Sequence, residues 1–150
     1  MQTLIRKQQL NCTIQEAWNF FSHPENLQKI TPKEMNFIIK TKNLSKMYAG
    51  QIIEYSVSPI FNIPLTWVTE ITQVVENKYF IDNQLVGPYK IWHHQHFFEE
   101  NEKGVLLTDI VNYKIGFGFL GTILEKFFIN KKVSSIFNFR NNFIKNNFKK

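Results

Sequence analysis

Between residues 51 and 115 the sequence is a run of alternating segments separated by turns of only a few residues. Glu76-Asn77-Lys78, Gly87-Pro88 and Asn101-Glu102-Lys103-Gly104 mark three of these turns. Connections that short join antiparallel neighbours, because a parallel return needs a crossover of about a dozen residues or more. The pattern therefore predicts strands over 51–58, 65–75, 79–86, 89–99 and 105–115. Pro88 cannot donate to a strand ladder, so Gly87-Pro88 reads as a turn or bulge.

The flanking segments complete an α+β plan. Residues 2–11 read as a strand. Thr13-Ile14-Gln15-Glu16 is a capping box, in which hydroxyl and carboxylate satisfy helix-start donors reciprocally. It opens a short helix with Ile14, Ala17, Trp18 and Phe21 at helical spacing. A second short helix begins at Pro24 and stops at Thr31-Pro32. A strand is expected over 35–41, a loop over 43–50 and a turn region over 59–64. A long helix is expected from 119 to about 146, after a glycine-rich elbow over 116–121. The order is β-α-α-β6-α: about seven antiparallel strands with the helices on one side.

The 150 residues fit one domain, and 43% hydrophobic content with fifteen Phe is enough for a substantial core. Cys12 is the single cysteine, which leaves no internal disulfide and no multi-cysteine metal site. With no apolar leader segment and no run of about 18 apolar residues, a soluble cytoplasmic protein is expected. The net charge of +6 is concentrated late: no acidic residue follows Glu125, whereas Lys126, Lys131, Lys132, Arg140, Lys145, Lys149 and Lys150 do. Such a tail suits an anionic surface or is a solvated helix face. No nucleic-acid-binding motif accompanies it, so nucleic acid is not an expected partner.

Three of the four histidines fall in one strand. Alternation puts Trp92, His94, His96 and Phe98 on one face and His93 on the other. Two imidazoles between large aromatics need partners, since an unpaired buried polar group costs roughly 1–3 kcal/mol. Antiparallel pairing brings Asp109 close to position 95 or 96. Asp82 and Gln84, with Phe80, occupy the strand before the Gly87 turn. Two imidazoles and a carboxylate are the ingredients of an acid–base pair, with Asp109 orienting His96, or of an open zinc or iron site. They also suit a satisfied polar network. Tyr55, Trp67, Trp92 and Tyr113 supply aromatic walls.

Gly116-x-Gly118-x-x-Gly121 matches a dinucleotide fingerprint only in spelling. A true unit needs a parallel crossover and an acidic residue roughly 20 positions further on, and neither is present. No cofactor is expected, and no metal is assigned.

Several motifs resemble the helix-grip fold of the START and birch-pollen-allergen superfamily, also called SRPBCC, and within it a polyketide cyclase/dehydrase-like bacterial branch. They are Phe21-Ser22-x-Pro24-x-Asn26-Leu27-x-x-Ile30-Thr31-Pro32; Trp67 and Ile71; Phe80-x-Asp82-x-Gln84; Gly87-Pro88-Tyr89-x-x-Trp92-x-His94-x-His96-x-Phe98; and Asp109-x-Val111-x-Tyr113. The branch commonly carries Leu-Pro-Phe-Gly before the last helix, where this chain has Ile115-Gly116-Phe117-Gly118. The resemblance implies a curved sheet wrapped around the C-terminal helix, with a cavity between them for a hydrophobic or amphipathic small molecule. Tyr55, Trp67, Asp82, Gln84, Trp92 and Tyr113 are the expected ligand contacts. A cyclase- or dehydratase-like enzyme is the alternative, with His94 or His96 as general base and Asp109 behind it. A third reading is a membrane-peripheral or interaction module using the basic helix. The wide apolar stripe on that helix also suits a homodimer surface.

Overall fold

A computed structural model of the chain describes residues 1–58, 63–116 and 129–148. Seven strands form one antiparallel sheet: β1 (Gln2–Leu10), β2 (Ile38–Ile39), β3 (Gln51–Val57), β4 (Leu65–Val75), β5 (Tyr79–Val86), β6 (Tyr89–Asn101) and β7 (Gly104–Ile115). Their spatial order is β1-β7-β6-β5-β4-β3-β2. The meander expected over 51–115 is continuous, and β1 returns to pair with β7 from Gln2↔Tyr113 to Leu10↔Val105.

Among the described residues two α-helices accompany the sheet, α1 (Ile14–Phe21) and α2 (Asn130–Asn147). The capping box holds α1: Thr13 Oγ1 accepts from Glu16 N at 3.2 Å, and Thr13 N donates to Glu16 Oε2 at 2.8 Å. Ala17, Trp18 and Phe21 bury its inner face. Trp18 meets Phe98 and Phe80 edge-on, with centroids 5.5 and 6.2 Å apart, so α1 packs over the central strands β5 and β6.

Two expectations are corrected. The second helix is a five-residue 3₁₀ turn, Pro24–Gln28, followed by a second at Lys33–Met35. The strand expected over 35–41 shrinks to Ile38–Ile39, because Asn36 takes φ +44° and breaks the extended backbone before it can pair. The long helix is described only from Asn130. Its expected start at 119–128, most of the glycine elbow and the terminal Lys149-Lys150 lie outside the described residues. Among the described residues, no helix is long and apolar enough to cross a membrane.

Bulges curve the sheet. β4 and β5 slip register between Val68 and Thr69 and again between Ile71 and Gln73, and β6 slips against β7 between Tyr89 and Ile91. Each bulge bends its strand and increases the local twist. The last one also changes parity. Tyr89 and Trp92, three residues apart, both line the concave side, while Lys90 and Ile91 are exposed. The concave face faces α2, whose buried residues are Val133, Phe137, Arg140 and Ile144, at spacings of four, three and four.

Candidate functional site

The two imidazoles of β6 stand between carboxylates from both neighbouring strands. Across the β5–β6 pair Asp82 is opposite His94, and across β6–β7 Asp109 is opposite His96. The side chains bond along the diagonals. His96 Nε2 lies 3.0 Å from Asp82 Oδ2, and His94 Nε2 lies 3.1 Å from Asp109 Oδ1. Closer to the direct pairing, His96 Nδ1 is 2.8 Å from Asp109 Oδ1, and His94 Nδ1 is 3.8 Å from Asp82 Oδ2. The two rings lie 3.7 Å apart, and Phe80 stacks on the far side of His96 at 3.9 Å. His94, His96 and Asp109 are each at most 6% exposed.

Arg140 closes this group from the helix. Its Nη2 is 3.4 Å from both Asp109 Oδ1 and His96 Nδ1. The guanidinium sits over the Phe21 and Phe137 rings, 5.2 and 5.6 Å from their centroids. Its Nε finds no hydrogen-bond partner among the described residues. Sequence reasoning counts Arg140 among the basic residues of a tail that suits an anionic surface or is a solvated helix face. The available signal is its place in the Val133, Phe137, Ile144 stripe, where a solvated cation does not belong.

These neighbours set the charges. Burial would raise the Asp109 carboxyl, but Arg140 and then the two imidazoles outweigh it and hold Asp109 well below the usual carboxylate range. Burial, reinforced by neighbouring His96, pushes His94 down to about 4, against the pull of Asp109 and Asp82. At neutral pH His94 is therefore an uncharged imidazole facing an ionised Asp109.

A cavity of about 360 Å³ opens beside this group, between the sheet and α2. Asp82, His94, His96 and Arg140 form its polar end. Tyr55, Trp67, Tyr89 and Trp92 stand in its wall. Trp67 packs edge-on to Trp92 at 5.3 Å and donates from Nε1 to Thr69 Oγ1 at 3.0 Å. Burial, assisted by Asp82 for Tyr55 and by Tyr113 for Tyr89, raises both phenols above their ordinary value and keeps them as neutral hydroxyls.

Asp109, Gln84 and Tyr113 are not among the described lining residues. Asp109 sits behind the imidazoles. Gln84 is engaged with the turn: its Nε2 donates to Tyr89 O at 2.6 Å and its Oε1 accepts from Tyr89 N at 3.3 Å. Tyr113 Oη donates to Asn130 Oδ1 at 2.8 Å, tying β7 to the start of α2. His93 points to the other face, 2.6 Å from Asn83 Oδ1. Cys12 is buried and in no disulfide.

No family model and no curated protein matches this sequence. Solved structures do. Protein TTHA0849 from Thermus thermophilus superposes with a TM-score of 0.68 at 10% identity, covering 95% of this chain and 97% of that one. Protein Ms6760 from Mycobacterium smegmatis gives 0.66 at 17% identity over 95% and 90%. Ara h 8.0201 gives 0.64 at 12% over 97% and 99%. At these identities the likeness shows the fold: an α+β helix-grip fold shared along nearly the whole chain. It carries no chemistry across, because one fold hosts many functions.

Proposed function

We propose that this protein is a binding domain for a hydrophobic or amphipathic small molecule, lipid-like or aromatic, held between the sheet and α2. The carrying observation is the cavity of about 360 Å³, apolar along most of its wall and polar at one end. That combination is the usual make-up of a small-molecule site, where apolar walls give affinity and a few polar groups fix orientation. Tyr55, Trp67 and Trp92 contact the apolar body of the guest, and Asp82, His94 and His96 meet its polar group. Gln84 and Tyr113 act at one remove, by fixing the Gly87 turn and the start of α2. The test is titration with N-phenyl-1-naphthylamine, read by its own emission and by quenching of the tryptophans. Saturable one-to-one binding that Val57→Phe abolishes supports the reading; Val57 is buried and lines the cavity. Binding that is absent, or unaltered by that substitution, refutes it.

A second reading rests on His94. Its Nε2 is held by Asp109 while the imidazole lines the cavity, an arrangement suited to removing a proton next to a carbonyl. This is the cyclase- or dehydratase-like alternative. Deuterium exchange at the α-carbon of a carbonyl-bearing guest in D₂O, lost in His94→Gln, supports it. Equal exchange by both proteins excludes it.

A further inference from the structure

The polar group at this end of the cavity, with Asp109 behind the imidazoles, holds two carboxylates and one guanidinium. Arg140 lies against Asp109, at 3.4 Å. Among the described residues Asp82 has no such cation: its partners are the two imidazoles, and its side chain is 15% exposed. Lys132 also reaches the cavity wall but forms no ion pair among the described residues. Counting only the carboxylates and the guanidinium, the group has one more acidic than basic side chain in a site largely withdrawn from water. A carboxylate so far withdrawn from water favours a cation beside it.

We propose that Asp82, His94 and His96 form a site for one divalent transition-metal ion of the zinc or iron(II) class, with coordination positions open to the cavity. One ligand atom from each of the three lies within 4.8 Å of the others. His96 Nε2 and His94 Nδ1 are 3.0 and 3.8 Å from Asp82 Oδ2. Ligands bound at about 2.0–2.2 Å to a tetrahedral or octahedral ion stand roughly 3–3.5 Å from one another, so small side-chain shifts close the set. Two imidazoles and one carboxylate select zinc or iron(II) over calcium or magnesium, which take oxygen shells.

The surroundings suit a metal as well as the ligands do. Ligating histidines commonly have their other ring nitrogen held by a carboxylate, which fixes the tautomer and the ring. Here the opposite nitrogens, His94 Nε2 and His96 Nδ1, both face Asp109 Oδ1, at 3.1 and 2.8 Å. Arg140 balances that carboxylate, and the Phe80–His96–His94 stack holds the rings in place. Three protein ligands leave room for a water or for an oxygen atom of a guest. The competing occupant is a proton held between His96 and Asp82.

The experiment uses the full, tag-free chain, stripped with a chelator and titrated with zinc by calorimetry and with cobalt(II) by visible absorption. One equivalent of zinc is expected, with tetrahedral or five-coordinate ligand-field bands for cobalt. Asp82→Asn and His96→Gln should each weaken zinc at least about 100-fold, and Asp109→Asn about 10–100-fold. His93→Gln, on the opposite face, should bind like the wild type. Circular dichroism of each stripped variant separates a lost site from a lost fold. No saturable uptake by the wild type at about 100 µM zinc, enough to fill a site with a Kd of about 10 µM, overturns the proposal. So does uptake that Asp82→Asn and His96→Gln leave within about twofold of wild type in folded protein, a margin of only a few tenths of a kcal/mol. N-phenyl-1-naphthylamine binding is measured on the same stripped protein. If it persists without metal uptake, the metal site falls and the cavity reading stands.

Discussion

Replacing Arg140 with methionine removes the guanidinium and keeps most of the side-chain volume. The perturbation is severe because Arg140 is 6% exposed and its partner Asp109 is 5% exposed. Removing one member of a buried pair leaves the other charge uncompensated, at a cost of about 3–5 kcal/mol. Loss of the two ring contacts adds roughly 0.5–1 kcal/mol each, partly offset by the apolar methionine against the same rings. A net loss of about 4 kcal/mol is expected at pH 7, a large fraction of the ~5–15 kcal/mol of a typical domain. Urea unfolding of the metal-free protein, followed by tryptophan fluorescence, measures it. Asp109→Asn/Arg140→Met should cost at least about 2 kcal/mol less than the sum of the single changes. The pH dependence has a fixed sign. Asp109 titrates below its ordinary value in the folded wild type, so its contribution is present above the unfolded carboxylate value of 3.8 and fades as pH falls through the folded one. The gap between wild type and Arg140→Met should therefore be widest near pH 7 and narrow below about pH 4. A single-variant loss under about 1 kcal/mol, or strictly additive costs, would refute the reasoning.

In metal-stripped protein the buried His94 titrates near 4 and the unfolded imidazole near 6.5, so the unfolded chain binds more protons between those values. Stability should fall by about 3 kcal/mol as pH drops across that window, and His94→Gln should flatten the slope in urea midpoints taken from pH 7 to 4.5; parallel curves would contradict it. Gly104 has φ +114°, and a Cβ there would collide with the Leu10 carbonyl oxygen, which is backbone and cannot swing away. Gly104→Ala should cost at least about 2 kcal/mol in the same assay, and a neutral result would mean the β6–β7 hairpin adjusts freely. Thr13→Ala removes the cap of α1 and should cost about 1 kcal/mol, whereas Gln15→Ala, on the exposed side of the helix, should shift the midpoint little.

What can be read from the sequence follows the range of the forces involved. The bounds of β4 and β5 are legible because Asn77, with φ +60°, and Gly87 announce their turns locally. That Asp109 lies near position 95 or 96 follows from counting outward from a hairpin, and the register sets it opposite His96. Counting fails where a bulge intervenes. Strict alternation gives Tyr89 no place in the wall once Trp92 is included, and the register slip at Tyr89–Ile91 restores it. Gln84 follows the same lesson on a smaller scale: its amide is taken by Tyr89 just beyond the turn, a bond that periodicity does not reveal. Arg140 is hidden for a different reason. Its partner lies on a strand 31 positions away in sequence, and the surrounding lysines make it look like one more solvated cation.

The central claim is that the space between sheet and helix holds an apolar guest with its polar group at Asp82, His94 and His96. Native mass spectrometry of the purified chain, followed by solvent extraction and identification of whatever is released, tests it most directly. The account predicts a one-to-one complex with a hydrophobic or amphipathic molecule, or uptake of one equivalent when such a molecule is supplied, and loss of that complex in Val57→Phe. A chain that is bare as purified, and that takes up no guest when offered saturating fatty acids and polycyclic aromatics, would contradict it.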